Sequence, residues 1–472
     1  MSAKGLQKTI GLWSATSIVI CSIIGSSIFM KPATMAAQLG SPYLIIIVWL
    51  VAGLISMFGA MAFAELGTMF PETGGQYIYL RNAFGDLTAY LYGWSSIAVI
   101  NSAAIAAMGF VLASYAGYFI PLPHFSQATE QSFTLHIPML GDIQPLQNFG
   151  VKMLAIVVIM GLSLINYLSV RSGNLIQLLA SFFKVAAILF LIFGIFFSGK
   201  GQVSNFFMNT PGFHLSNWTL LAGFMAATTG AFASYDGWNN LNMVAGEIIN
   251  PAKNITRSLI IGLWACIGIY VLITLSYQYV LPIDIMAKSP LVASEASAIV
   301  FGNAGGTMIA ILIAVSCFGS TSVNLLTNAR VIFAMAESKI FFSWSGKVHP
   351  KHHTPGNAIL ILGLWSSVLV LSGSFDILAD MFIFMSWVFY GLVVIAVFIL
   401  RKRLPNAVRP YKAWGYPWVP LIFIVFTAIY LATTLYNDIA NYLTGASPII
   451  NSVFGILLTI IGIPLYYYFK RK

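Results

Sequence analysis

The sequence predicts an all-α membrane protein of twelve spanning helices, and three observations predict it. Apolar side chains make up 59% of the 472 residues, and the mean hydropathy is +0.87. Charged side chains make up only 8%, against roughly 25% in a soluble globular chain. The charges are also gathered, for none falls at 32–64, 87–129, 201–235, 258–283, 296–328, 352–375 or 439–469. Such intervals exclude a water-soluble chain. Backbone groups in lipid must be satisfied within their own segment, which leaves spanning helices of about 20 residues.

Each span is an apolar run between charges or Gly/Pro breaks. The first, 12–38, lies between Lys8 and Gly40, and the second, 43–68, between Pro42 and Pro71. The third, 87–119, begins after Asp86 and ends before Pro121; the fourth, 150–168, closes at Arg171. The fifth, 174–198, ends at Lys200 and has Lys184 near its middle. The sixth, 216–246, is interrupted by polar residues, and the seventh, 257–281, runs from Arg257 to Pro282. The eighth, 303–333, follows Gly302, and the ninth, 357–373, lies between Gly356 and Ser374. The tenth, 377–400, sits between Asp376 and Arg401, the eleventh, 415–437, ends at Asp438, and the twelfth, 448–469, ends at Lys470. An even number of spans places both termini on one side.

If that side is the cytoplasm, 18 of the 23 Lys and Arg fall on inner segments; Lys31, Lys152, Lys200 and Lys288 fall towards the outer side and Lys184 is mid-membrane. The positive-inside rule therefore sets the termini in the cytoplasm. The formal net charge of +10 is explained by this topology and by anionic inner-leaflet lipid, so no nucleic-acid partner is implied. Cys21, Cys266 and Cys317 all lie in apolar segments, which leaves neither a disulfide framework nor a zinc spacing. The first apolar stretch is too long for a cleavable signal. Outer loops 120–149 and 282–302 are long enough for local structure. No repeat of 20 to 50 residues is visible, so residues 1–472 read as one transmembrane domain.

Two spans carry breaks. The first is interrupted at Gly25-Ser26-Ser27. Such a stretch suits a helix-packing face, or a discontinuous helix whose second half presents free N–H groups and a positive dipole end at mid-membrane, suited to a carboxylate. The sixth is interrupted at Phe232-Ala233-Ser234-Tyr235-Asp236-Gly237-Trp238-Asn239-Asn240, where polar residues should face a cavity. These spans are five apart and run in opposite directions. Interrupted helices at matching positions of two inverted halves point to a secondary transporter's site at the bilayer midplane. Lys184 is too deep to snorkel, and a mid-membrane ammonium marks either a structural tie to carbonyls or a functional cation. Carbonyls of the unwound first span and the hydroxyls of Ser316 or Ser320 could hold it.

Seven segments, in order, resemble the amino acid-polyamine-organocation superfamily and, within it, the L-type amino acid transporters. They are Ile23-Ile24-Gly25-Ser26-Ser27-Ile28-Phe29; Ala64-Glu65-Leu66 with Pro71-Glu72-Thr73-Gly74-Gly75-Gln76-Tyr77; Tyr235-Asp236-Gly237-Trp238-Asn239; Asn250-Pro251-Ala252-Lys253-Asn254-Ile255; Ser316-Cys317-Phe318-Gly319-Ser320; Thr354-Pro355; and Arg409-Pro410-Tyr411-Lys412. The resemblance implies the leucine-transporter fold with broken helices 1 and 6. Its first repeat would cover about 10–200, the inverted second about 214–402, and two additional helices about 415–470. It also implies alternating access for amino acids, with the carboxylate on backbone N–H groups of Ser26, Ser27 and Ile28 beside Gly25. The ammonium would meet carbonyls near Ile23, Ile24, Phe232 and Ala233, with Tyr235 adjoining. Lys184 matches the lysine that stands in for a coupling sodium, and Tyr277 matches the family's span-seven tyrosine. Both imply sodium-independent transport without a cofactor or metal.

Two departures refine this. Ser27 stands where the family usually has glycine, which narrows the pocket and favours small substrates. Ala233 stands where many relatives carry a gating aromatic, leaving Phe232 as the candidate gate. Asp236 is either a helix cap or a proton site. Residues 120–149 hold no cysteine, so the disulfide-linked heavy chain of animal members is not expected, and a bacterial inner membrane is the implied home. The reading is exchange of small neutral L-amino acids. Its rivals are proton-coupled symport, cationic amino acid or polyamine antiport, and a non-transporting sensor or channel. An enzyme is excluded because His349, His352 and His353 cluster in a basic inner loop without metal spacing or an activated nucleophile.

Overall fold

The computed structural model describes residues 10–71, 74–137, 141–168, 170–210, 217–348 and 354–471. A helix stands at each predicted place. The first span is two helices, α1 (Leu12–Ile23) and α2 (Ser27–Leu39), bent by 47°. Next come α3 (Pro42–Met69), α4 (Asp86–Ala116), α5 (Phe149–Leu168), α6 (Val170–Phe197) and α7 (Asn217–Tyr235). They are followed by α8 (Pro251–Val280), α9 (Val292–Glu337), α10 (Gly356–Ser372), α11 (Phe375–Arg403), α12 (Trp418–Leu443) and α13 (Asn451–Lys470). Among the described residues eight helices are long and apolar enough to cross a bilayer singly, and the bent α1–α2 pair makes up to nine.

The boundaries follow backbone chemistry. α2 stops at Gly40, whose φ of 55° is left-handed and whose N–H caps the Ala36 carbonyl. Pro42 then opens α3 at a position that needs no N–H donor. In α4 a π-turn at Ser96–Ile100 interrupts the α-helix. α9 begins eleven residues before the predicted eighth span because Gly302, at φ 73°, joins a short preceding helix to it across a kink. The two long loops at 120–149 and 282–302 hold the local structure expected of them. In the first, a short helix Gln127–Ser132 precedes an antiparallel hairpin of β1 (Leu135–Ile137) and β2 (Gly141–Ile143); in the second, Ile283–Met286 is helical.

Contacts between distant segments fall into two sets. At one end Ile10 bridges Ile248, Arg403 donates to the Ala83 carbonyl at 2.8 Å, and Phe342 packs edge-on to Phe469. At the other, Thr210 N–H donates to the Gly40 carbonyl, Gln202 N–H to Tyr279 and Asp142 N–H to Pro448. Every segment in the first set was expected on the inner side and every segment in the second on the outer. The halves of the first span lean on different partners, α1 on α8 and α2 on α7, while α9 packs along α6. That division lets the break in the first span lie beside the end of α7.

Candidate functional site

The first break is local. Ile24 leaves the helix with φ −67° and ψ 92°, although its N–H still closes the last turn onto Ile20 at 2.9 Å. After Gly25 and Ser26 the chain winds again into α2, with the Phe29 N–H on the Ser26 carbonyl at 3.1 Å. The first N–H groups of α2 have no partner within the helix and carry its positive dipole end. Ser26 and Ser27 are each 6% exposed. Around Gly25 the space is open: an added Cβ would meet only the Ile23 carbonyl, at 3.8 Å.

The second break follows Tyr235. The chain turns through Asp236 and Gly237 before the short helix Asn240–Met243. Gly237 needs to be glycine for two reasons: its φ is 108°, and a Cβ there would collide with the Ser22 carbonyl. The two breaks thus meet backbone to backbone. Between them stands Tyr270 of α8, whose hydroxyl reaches the Ile23 carbonyl at 3.0 Å and the Ser234 carbonyl at 2.7 Å. Its ring is wedged against Trp49 and Tyr235, at centroid distances of 5.2 and 5.0 Å. The last-turn carbonyls of α1 and α7 lack helical N–H partners. One end of the site therefore offers donors and the other acceptors, with one tyrosine joining the two helix ends.

The remaining expected residues divide. Ile23, Ile24 and Ile28 bury their side chains and leave backbone at the break. Lys184 is 5% exposed and its Nζ donates to Ser320 Oγ at 3.0 Å; Ser316, one turn earlier on α9, is buried. Among the contacts of the described residues, none joins Lys184 to the carbonyls of the first break. Tyr277 is buried with its hydroxyl unpartnered, so the tyrosine at the breaks is Tyr270, two turns away on the same face of α8. Phe232 stacks on Trp387 of α11 at 3.6 Å and meets Tyr430 of α12 edge-on at 5.1 Å, which ties it into an aromatic cluster. Ala233 adds no bulk. Tyr235 donates its hydroxyl to the Trp49 carbonyl at 3.0 Å, so its side chain faces α3. Asp236 accepts a bond from Tyr390 of α11 at 2.5 Å, and that hydroxyl also reaches Asn239 at 3.2 Å.

Sequence reasoning missed three groups. Tyr270 and Tyr390 are ordinary aromatics in apolar helices until the helix rotations are known. Lys31, counted among outer-side charges, is buried in α2 and paired with Asp376 and Asp380; the signal available was the four-residue spacing of those aspartates. His349, His352 and His353 lie outside the described residues. Among the described residues no three His, Cys, Asp or Glu side chains converge.

Comparison with known proteins shows the family. Residues 10–463 match the family model described as amino acid permease. The chain is 31% identical to the serine/threonine exchanger of Bacillus subtilis, covering 99% of this chain and 98% of the relative. It is 30% identical to the human cystine/glutamate transporter, covering 98% and 85% of the two chains. It is 29% identical to the human b(0,+)-type amino acid transporter 1, covering 90% and 82%.

Proposed function

Because the chain belongs to the amino acid permease family, we propose that it is a multi-pass membrane exchanger of small neutral L-amino acids, independent of sodium and working by alternating access. The observation that carries the reading is the meeting of the two breaks. The N-terminus of α2 and the C-terminal carbonyls of α1 and α7 converge about Tyr270 and Gly237. An α-amino acid has the matching chemistry, a carboxylate for the N–H groups of Ser26, Ser27 and Ile28 and an ammonium for the carbonyls near Ile23, Phe232 and Ala233. Recognition through backbone leaves side-chain selection to the pocket wall. There Ser27 takes up space that glycine would leave, which favours alanine, serine or threonine, and a relative of this length is a serine/threonine exchanger.

In this reading residues of about 10–200 and 214–402 are inverted repeats, and about 415–470 supply two further helices. The basic inner segments place both termini in the cytoplasm, and the inner membrane of a bacterium is the proposed home. Loop 120–149 offers no cysteine, so the chain works without a disulfide-linked partner. Lys184 occupies the place of a coupling cation and binds α9 through Ser320. The engagement of Asp236 by Tyr390 favours neutral substrates over cationic ones, since this acid is already satisfied.

The test is uptake of a panel of labelled amino acids into proteoliposomes, preloaded or empty, with and without proton or sodium gradients. Uptake confined to preloaded vesicles and indifferent to both ions is expected. Gradient-driven uptake into empty vesicles would replace exchange by symport. In the same assay Ser27→Gly is expected to admit larger neutral substrates, and an unchanged size range would remove the argument for small ones.

A further inference from the structure

We infer that Asp380 and Asp438, with the side-chain oxygens of Tyr430, Thr434, Asn451 and Ser452, form a calcium site between α11, α12 and α13. It lies at the end of the molecule where the Asp142 N–H meets the Pro448 carbonyl. Tyr430, Thr434 and Asp438 follow one another at four-residue spacing along α12, so one face of that helix presents all three. Asp438 Oδ2 accepts the Ser452 N–H at 2.8 Å, which brings the first turn of α13 to the same face and leaves Oδ1 for a ligand. Asp380 enters from α11, within electrostatic reach of Asp438.

Two independent observations point to a cation. The first is a set of oxygens with nothing to bind. Tyr430 Oη, Thr434 Oγ1, Asn451 Oδ1 and Ser452 Oγ have no hydrogen-bond partner, although Tyr430 and Ser452 are fully buried and Thr434 and Asn451 are each only 7% exposed. The Tyr430 hydroxyl lies beside Thr434, Asp380 and Asp438, and Asn451 adjoins Ser452, so these oxygens gather about the two acids. Unpaired buried polar atoms are destabilising and rare. Four in one place, next to carboxylates, mark a site for a ligand that accepts lone pairs.

The second observation is charge. Among the described residues the charges acting on Asp380 are those of Lys31, Asp376 and Asp438, three carboxylates against one ammonium. The bonds of Lys31 go to Asp376 Oδ1 at 2.6 Å and Asp380 Oδ1 at 3.0 Å, which leaves Asp438 without a salt-bridge partner among the described residues. Two negative charges therefore stand in excess. Calcium answers both observations, since it carries two positive charges and takes about six to eight oxygens, carboxylate, carboxamide and water among them, in adaptable geometry. Magnesium demands a stricter octahedron and sheds its water reluctantly. Asp380 is 31% exposed, which gives the ion a way in. An ion held here braces α12 and α13 against α11 and carries no substrate, so binding is expected whether or not the chain exchanges amino acids.

The test is equilibrium binding of labelled calcium to the purified full-length chain after treatment with a chelator, in parallel with thermal denaturation. Saturable binding is expected in the range of extracellular calcium modules, about 10⁻⁴–10⁻³ M, with a rise in melting temperature that sodium at equal ionic strength does not give. Asp438→Asn keeps an acceptor for the Ser452 N–H but removes the unpaired charge, and is expected to weaken binding at least about tenfold. Thr434→Val keeps the shape and loses one oxygen, with an expected loss of about threefold; it reads the same site if Asp438→Asn does not elute as a folded protein. No saturable binding, binding undiminished in the folded variants, as for adventitious calcium on detergent or lipid, or an equal thermal shift with sodium overturns the site.

Discussion

Lys184 shows at the scale of one residue how far charge alone reaches. A single ammonium in an apolar run is expensive wherever it lies, so its importance was legible from its place between Arg171 and Lys200. Ser320 was one of two hydroxyls named for it, and it is the one bonded. The other half of that expectation, contact with carbonyls of the first break, depends on how far α1 stands from α6, which no sequence pattern encodes. The bond to Ser320 ties α6 to α9, so Lys184→Ala removes a charged donor worth about 1.5–3 kcal/mol from helices that must shift during exchange. The expected result is turnover lowered roughly ten- to hundredfold, with equilibrium substrate binding reduced far less. Parallel measurement of exchange and of binding to the purified protein decides it, and unchanged turnover would deprive Lys184 of a part in the cycle.

At the scale of elements, the breaks were readable because their causes are local. Small residues at 25–27, and an acid, a glycine and asparagines at 236–240, cannot pay their way in a lipid-facing helix. What was not readable is rotation. Helices that are apolar all round give periodicity nothing to register, so Tyr270 and Tyr277, two turns apart on α8, were indistinguishable by position, and the resemblance named Tyr277 without indicating that Tyr270 touches the breaks. The hydroxyl of Tyr270 lies between the ends of α1 and α7, whereas that of Tyr277 has no partner. Tyr270→Phe is thus expected to lose a bond worth about 1–1.5 kcal/mol and to weaken substrate binding about tenfold by loosening both helix ends. Tyr277→Phe, which removes an unsatisfied polar atom, should leave binding unchanged and the melting temperature equal or higher. Isothermal titration and thermal denaturation of the two variants side by side check this; a larger loss in Tyr277→Phe would return the role to that residue. Lys31 escaped for a related reason. It lies within the predicted first span but was counted towards the outer side, whereas α2 continues eight residues past it to Leu39 and buries it.

Across the whole molecule, α11 is the common partner of the pieces flanking the site. Its first turns hold α2 through Lys31, its middle holds the second break through Tyr390, and its last turn holds α3 through Arg401. The two ion pairs at its ends differ in kind. Glu65 is 1% exposed and receives Arg401 through two bonds of 2.8 and 2.6 Å, with the Ala413 N–H at 2.7 Å and Arg409 at 3.5 Å. Arg401 in turn lies 3.6 Å over the Tyr416 ring. This acid has no water to fall back on, so separating it from its partners leaves charge buried, whereas the aspartates facing Lys31 are solvated. Glu65→Gln keeps the shape but turns one oxygen into a donor facing donors and removes the charge shared by two arginines. Breaking a buried pair costs about 3–5 kcal/mol, and the partial exposure of Arg401 puts the expectation near the lower figure. The predicted outcome is a melting temperature in detergent several degrees below that of the unaltered chain. Lys31→Met, whose carboxylate partners keep their water, should give a smaller shift. Equal shifts in the two variants would mean that solvation of the acids does not set the difference between the two ends of α11.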